Sequence, residues 1–419
     1  MSLCLTPRID ALSRALTGRD VPLFDADRAD VRAAVAGRRV LMVGAAGSIG
    51  SATLLELLDA DPEEVLVLDP SENNLAELVR AVRSAPRPTR ARFRIEPLGY
   101  GSALAEALLA AEPPFDLVLS FAALKHVRSE RDVYSLLRML EVNLVDADRF
   151  LGVARAYGHG AGGVFMVSTD KAAEPVSLMG ASKRAMEALL WAHTVPGAPR
   201  SLLDGGEAPP LARVTTARFA NVAFSDGSLP WAFLQRLEKA QPLASPEHIR
   251  RYFVSPREAG RLCLLAATAC PHRHALVPVL DPERDTRTFV DVARLTLESF
   301  GLAPAYYRSE AEARAAVATD RPAGRYPVLL TSADTSGEKD VEIFVGEGEE
   351  ARDPGIPNTL AVPGAPEDPA PLAALLRLVA AAARDPRALP DAGAVVAALA
   401  RVVPRLIHKD TGRSLDDRM

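Results

Sequence analysis

The short apolar run 39–43 leads straight into Gly44-Ala45-Ala46-Gly47-Ser48-Ile49-Gly50. Glycines at this GxxGxxG spacing let a chain turn sharply from a strand into a helix, with its backbone open to close approach. The helix that follows offers unpaired N–H groups and the positive end of its peptide dipole, which together suit a pyrophosphate. Glycines at a strand-to-helix turn can also be purely structural, so the turn needs its context.

That context is an alternation. Strand candidates at 39–43, 65–68, 93–96, 117–121, 164–168 and 214–219 are separated by helical stretches at 48–59, 72–83, 103–111, 131–157 and 182–193. Strands alternating with helices imply α/β architecture with a parallel sheet. Strands apolar almost throughout imply that helices cover both of its faces. The expected fold is a Rossmann-type doubly wound parallel sheet, with a smaller mixed α/β region and a helical C-terminal extension. The division expected is a helical prefix over 1–37, a dinucleotide-binding domain over 38–221, a substrate-binding region over 222–346, and a linker with helices over 347–419. Pro- and Gly-rich stretches at 195–210, 354–369 and 385–393 read as loops or linkers.

Composition removes other classes. With 49 basic and 54 acidic residues, the net charge of −5 gives no electrostatic footprint for nucleic acid, and 5% aromatics leaves little for base stacking. No apolar stretch approaches the ~20 residues of a spanning helix, so no membrane insertion is expected. The N-terminus does not read as a secretory signal, and the chain is expected to be cytoplasmic. The three cysteines, Cys4, Cys263 and Cys270, lack paired spacing and read as reduced thiols, with no metal site.

Asp69 ends the second strand about 20 residues beyond the glycines, where a carboxylate accepts both adenosine ribose hydroxyls and repels a 2′-phosphate. This favours NAD over NADP. Ala122 and Ala123, small residues after the fourth strand, let a cofactor lie against the backbone. After the fifth strand come Thr169-Asp170-Lys171, a hydroxyl, a carboxylate and an amine at the end of a sheet where ligands bind. Met179 and Lys183, four apart, share one helix face. Methionine has no ionisable proton, so a base at that position is excluded.

These pieces together resemble the UDP-N-acetylglucosamine 4,6-dehydratases of bacterial polysaccharide biosynthesis, a branch of the extended short-chain dehydrogenases. The similarity covers 16–260 and rests on Gly18-Arg19-Asp20-Val21-Pro22, the glycine turn, Leu68-Asp69-Pro70-Ser71-Glu72, Ala122-Ala123-Leu124-Lys125-His126-Val127, and the run from Ser168 to Glu187. Arg218-Phe219-Ala220-Asn221-Val222, Arg251-Tyr252-Phe253 and Gly337-Glu338-Lys339 agree with it. Methionine in place of the usual tyrosine is typical of this branch.

The resemblance implies NAD held by Gly44, Ala46, Gly47, Ser48, Ile49, Gly50, Asp69, Ser71, Ala122, Ala123, Lys125, Asn143 and Lys183. It implies a nucleotide sugar, UDP-N-acetylglucosamine, met by Lys125, His126, Asn221 and Arg251, and a homo-oligomer. The catalytic group is Thr169, Asp170, Lys171, Met179 and Lys183. NAD takes a hydride from carbon 4 of the sugar, Lys171 as a neutral amine removes the carbon 5 proton, and Asp170 protonates the departing carbon 6 hydroxyl. Burial against the cofactor is expected to lower the pKa of Lys171. Two rivals stand beside this reading: an epimerase on the same fold, and a catalytically silent NAD-binding regulator.

Overall fold

The computed structural model describes residues 7–25, 29–85, 88–125, 130, 132–332 and 342–408. Six strands follow the anticipated alternation: β1 (Arg39–Val43), β2 (Glu64–Leu68), β3 (Arg92–Glu96), β4 (Leu117–Ser120), β5 (Gly163–Val167) and β6 (Val214–Ala217). Beyond them come β7 (Asn221–Val222), β8 (Leu243–Pro246), β9 (Arg250–Val254), β10 (His274–Pro278), β11 (Thr286–Thr288), β12 (Ala303–Tyr307), β13 (Arg325–Thr331) and β14 (Thr359–Pro363).

The main sheet has eight strands in the order β14-β10-β6-β5-β4-β1-β2-β3. Its pairings are parallel except at the edge, where β14 runs antiparallel to β10. Strand order reverses between β1 and β4, which opens a crevice at their carboxyl ends, the usual ligand site in such sheets. The doubly wound parallel sheet is therefore present. The boundary expected at 221 does not follow it, because β10 and β14 return later chain to this sheet.

Alternation along β1 explains the two-sided burial. Leu41 and Val43 face one hydrophobic cluster, with Phe150, Met186 and Leu189, while Val40 and Met42 face another, with Leu54, Leu57 and Leu262. Burying each such side chain contributes about 1.5–3 kcal/mol. The helix Ser48–Leu58 lies against Pro256–Thr268, where a Cβ on Gly260 would stand 2.7 Å from the Ala52 carbonyl carbon. Helices Ala370–Arg384 and Ala392–Val402 cover the first face through Leu375, Leu376, Val379 and Leu399.

A third cluster forms the smaller lobe around Phe224, Phe233, Phe253, Val292, Tyr326 and Val328, and Ile9, Leu12 and Leu16 of the helix Pro7–Thr17 belong to it. Arg19 of the Gly18–Pro22 motif closes that lobe. Its guanidinium pairs with Glu258 at 2.8 Å and Asp285 at 3.0 Å, and donates to the Phe253 carbonyl.

Two helical boundaries differ from expectation. The stretch expected over 131–157 is Val133–Leu140, a π-helical turn Glu141–Val145, then Asp146–Ala156. The helix carrying Lys183 begins at Leu178, because Ser177 caps it by accepting from the Gly180 N–H at 3.1 Å. Cys263 and Cys270 are buried and unpaired, and burial pushes the Cys270 thiol up to about 12. Cys4 lies outside the described residues. None of the helices among these residues is long and apolar enough to cross a membrane.

Candidate functional site

A cavity of about 700 Å³ opens at the carboxyl ends of β1, β2, β4 and β5 and reaches the smaller lobe at Phe253 and Phe289. Its floor is the glycine turn. Gly44 holds φ +68°, and a Cβ there would lie 2.6 Å from the Ala122 nitrogen, so only glycine permits β4's end to approach. Gly50 is equally constrained, its Cβ position being 2.5 Å from the Ala45 Cα. Gly47 differs: it sits at the helix N-cap without a side-chain cap, and among the described residues the only neighbour a Cβ would meet within 4 Å is the Gly44 carbonyl at 3.6 Å. The helix N-terminus is thus left open for a ligand's phosphates.

Asp69 follows β2, nearly buried, and its carboxylate accepts from the N–H groups of Ala46 at 3.2 Å and Ser71 at 2.9 Å. Burial raises its pKa, the two N–H groups opposing. Together with the uncapped helix and the glycine cradle, this donor and acceptor set fits a dinucleotide such as NAD. Ser48 lines the same floor, where its hydroxyl donates to Asp226 at 3.0 Å and accepts from the Asp226 N–H.

At the other end of the cavity, the strand β5 delivers Thr169, Asp170 and Lys171 into one tight turn. Asp170 Oδ1 accepts from the Thr169 hydroxyl at 2.8 Å, the Lys171 N–H at 2.9 Å and Lys171 Nζ at 3.0 Å. Gly180 makes room for this turn, since a Cβ there would be 2.6 Å from the Lys171 carbonyl oxygen. Met179 and Lys183 face the same cavity from the helix Leu178–Ala192. Lys183 Nζ donates to the Val167 carbonyl at 2.8 Å, and burial brings its pKa down to about 8, with Glu187 opposing.

The lowered pKa expected for Lys171 is not found. Burial does push the amine down, but Asp170 and then Glu342, whose Oε1 lies 3.5 Å from Nζ, outweigh it and hold the pKa above its ordinary value. Glu342 is buried and follows the smaller lobe, so nothing near Lys171 in the chain announces it. Seven residues on, Glu349 anchors the same segment. It accepts from Arg218 at 2.6 and 2.9 Å and from Arg184 at 2.6 Å, while Arg218 also forks onto Glu187 at 2.9 and 2.7 Å. Glu187 in turn accepts from the Ser168 hydroxyl at 2.6 Å, tying the network to the end of β5.

Of the residues expected at the site, Gly44, Gly47, Ser48, Ile49, Gly50, Asp69, Ala122, Ala123, Lys125, Thr169, Asp170, Lys171, Met179, Lys183 and Asn221 line this cavity. Four do not. Ala46 is buried behind the floor with its N–H on Asp69. Ser71 caps the helix Glu72–Arg83, accepting from the Asn74 N–H. Asn143 is a buried brace: it accepts from the Leu124 N–H at 2.9 Å, donates to the Leu124 carbonyl at 3.0 Å and to Ser182 Oγ at 3.0 Å. Arg251 is buried beside the cavity, donating to the Arg250 carbonyl, and its charge acts on Lys171 from there. His126, Val127 and Gly337-Glu338-Lys339 lie outside the described residues.

The chain is 30% identical over 261 residues to the capsular polysaccharide biosynthesis protein CapD of Staphylococcus aureus, covering 60% of this chain and 39% of that one. It therefore spans about two fifths of that relative's length. Among solved structures it is similar to Pen from Bacillus thuringiensis, with a TM-score of 0.59 and 20% identity over 80% of this chain and 89% of that one. It is also similar to a UDP-N-acetylglucosamine 4-epimerase from Methanobrevibacter ruminantium M1, in complex with UDP-N-acetylmuramic acid, with a TM-score of 0.51 and 16% identity over 75% and 91%. Those two likenesses concern the fold. The family model for polysaccharide biosynthesis proteins matches residues 40–345, and the chain belongs to that family.

Proposed function

We propose that the protein is an NAD-dependent nucleotide-sugar 4,6-dehydratase whose substrate is UDP-N-acetylglucosamine. The observation that carries this reading is the Thr169–Asp170–Lys171 turn, which sets a carboxylate and an amine 3.0 Å apart at the mouth of a dinucleotide-sized cavity. Membership in a polysaccharide biosynthesis family supports the substrate class.

When bound, NAD supplies reversible two-electron oxidation at carbon 4, and the two electrons return at carbon 6, so there is no net oxidation. The remaining work is proton transfer by this chain's own residues. The Asp170–Lys171 ion pair carries one shared proton. Its passage from Nζ to Oδ1 yields a neutral amine and a carboxylic acid in one move, which are the base and acid that elimination needs. Lys171 Nζ then takes the proton from carbon 5, acidified by the ketone at carbon 4. Asp170 delivers its proton to the hydroxyl leaving carbon 6, the carbon–oxygen bond breaks, and water departs. Elimination returns the pair to its starting protonation state, and Lys171 Nζ then gives a proton back to carbon 5 as carbon 6 is reduced. Thr169 Oγ1, already on Asp170, relays the proton of the carbon 4 hydroxyl out to solvent, and one solvent proton restores the amine, so the protons released and consumed are equal.

Met179 supplies bulk without acid–base character beside Lys183, whose ammonium orients the nicotinamide ribose. Lys125 and Asn221 meet the substrate's polar groups from the cavity wall. Epimerisation is the second reading, suggested by the fold shared with a UDP-N-acetylglucosamine 4-epimerase. Incubating the purified protein with UDP-N-acetylglucosamine and following the product by mass spectrometry separates the two. Loss of one water is expected, and an isomer of unchanged mass would favour epimerisation and overturn this proposal.

A further inference from the structure

One corner of the cavity is not used by the chemistry above. It lies beyond Asp69, at the carboxyl ends of β2 and β3, and is lined by Gly99, Tyr100, Arg138, Val142 and Asp146. Residues 138, 142 and 146 are spaced by four and form one face of a helical stretch. Tyr100 is fastened to that stretch by donating its hydroxyl to the Val142 carbonyl. Arg138 is engaged by Glu141 at 2.6 Å.

Asp146 is different. Its carboxylate makes no hydrogen bond or ion pair among the described residues, although it is more than half buried. A Cβ on Gly101 would overlap this carboxylate, so glycine there is what leaves room for it. Burial, with Glu141 nearby and Arg138 and Arg149 opposing, pushes its pKa up to about 6. A carboxylate left in that condition is an acceptor waiting for a donor.

In a doubly wound sheet the adenosine half of a dinucleotide lies over the first three strands, with its ribose at the acid that ends β2. The next group outward from Asp69 is the base. We propose that Asp146 recognises the exocyclic amino group of the cofactor's adenine and so selects adenine over bases carrying a carbonyl at that position. This rests on the cofactor being an adenine dinucleotide, and not on the sugar reaction.

An amino group donates to the carboxylate, whereas a carbonyl turns its lone pairs toward it and leaves both unpaired. A lost hydrogen bond to a charged group changes affinity roughly 10- to 100-fold. The test is calorimetric titration of the full chain with NAD and with nicotinamide hypoxanthine dinucleotide, which has a carbonyl in place of the amino group. The wild-type protein is expected to prefer NAD by at least about tenfold. Asp146→Asn keeps the shape and can accept from an amine or donate to a carbonyl, so the preference is expected to collapse toward equal affinity. Asp146→Ala is expected to weaken NAD while leaving the hypoxanthine analogue nearly unchanged. A preference that survives unaltered in both variants, with thermal melts showing them folded, overturns the role of Asp146. Failure of the wild-type protein to bind either dinucleotide overturns the cofactor reading as well, and is a distinct result.

Discussion

Glu342 Oε1 lies 3.5 Å from the Nζ of Lys171, on an amine that already pairs with Asp170 at 3.0 Å. Two buried carboxylates therefore hold the proton on the lysine that the proposed elimination must deprotonate. The consequence is a pH dependence. Removing one negative charge lets the pair lose its shared proton to solvent at lower pH, so Glu342→Gln should move the falling alkaline limb of the kcat profile to lower pH. The check is kcat against pH for both proteins, together with the affinity for NAD, which should not change. A purely packing role for Glu342 would leave the profile where it was.

The two central turn residues should separate binding from chemistry. Asp170→Asn and Lys171→Met should each lower kcat by about 10²- to 10⁴-fold, the usual worth of a positioned acid or base. Titration with NAD should remain within a few-fold of wild type, because the cofactor floor lies on other elements.

The glycines of the turn make opposite predictions for stability. Gly44→Ala places a Cβ against β4 at a positive φ, and should cost more than about 1 kcal/mol of stability as well as NAD binding. Gly47→Ala meets only an ordinary van der Waals contact, the Gly44 carbonyl at 3.6 Å, among the described residues, so it should melt like wild type and lose affinity only where the phosphates sit. Thermal melts with and without NAD distinguish the two.

Arg218 is the most deeply placed cation of the anchoring network, and Glu349 is one of its two carboxylate partners. Removing Glu349 leaves Arg218 on Glu187 alone, and a lost hydrogen bond to a charged group costs about 1.5–3 kcal/mol, so Glu349→Ala should show a lower midpoint in urea at neutral pH. The guanidinium groups and the Gly346 N–H hold the Glu349 carboxyl down to about 2, from an unfolded value of 4.5. A depressed carboxyl stabilises the fold above its unfolded pKa and loses that contribution as pH falls. Wild-type stability should therefore decline between pH 4.5 and about 2, and that part of the decline should be absent in Glu349→Gln.

The sheet was readable because two-sided burial forces continuous apolar runs: 39–43, 117–121 and 164–168 could hardly be anything else. The glycine turn and Asp69 were readable for a related reason, since their chemistry is local in sequence. What failed to show was whatever depends on a partner far along the chain. Strands β10 and β14 look like any short apolar run, and nothing in 359–363 says that it pairs antiparallel with 274–278. Glu342 and Glu349 sit in a segment without regular structure, so no periodicity marks them as facing Lys171 and Arg218. Asn143 shows the opposite error. Its place on the helix was right, but whether an amide faces a cavity or a neighbouring backbone is decided by packing, and here Leu124 takes both of its ends.

The central claim is that Lys171 removes the carbon 5 proton of a nucleotide sugar, and the most direct measurement is solvent deuterium in the product. Wild-type protein, NAD and UDP-N-acetylglucosamine in heavy water should give a dehydrated product labelled at carbon 5, read by proton NMR, and Lys171→Met should give neither dehydration nor label. Dehydration with label at the same rate in Lys171→Met, or a product that keeps its water, would contradict it.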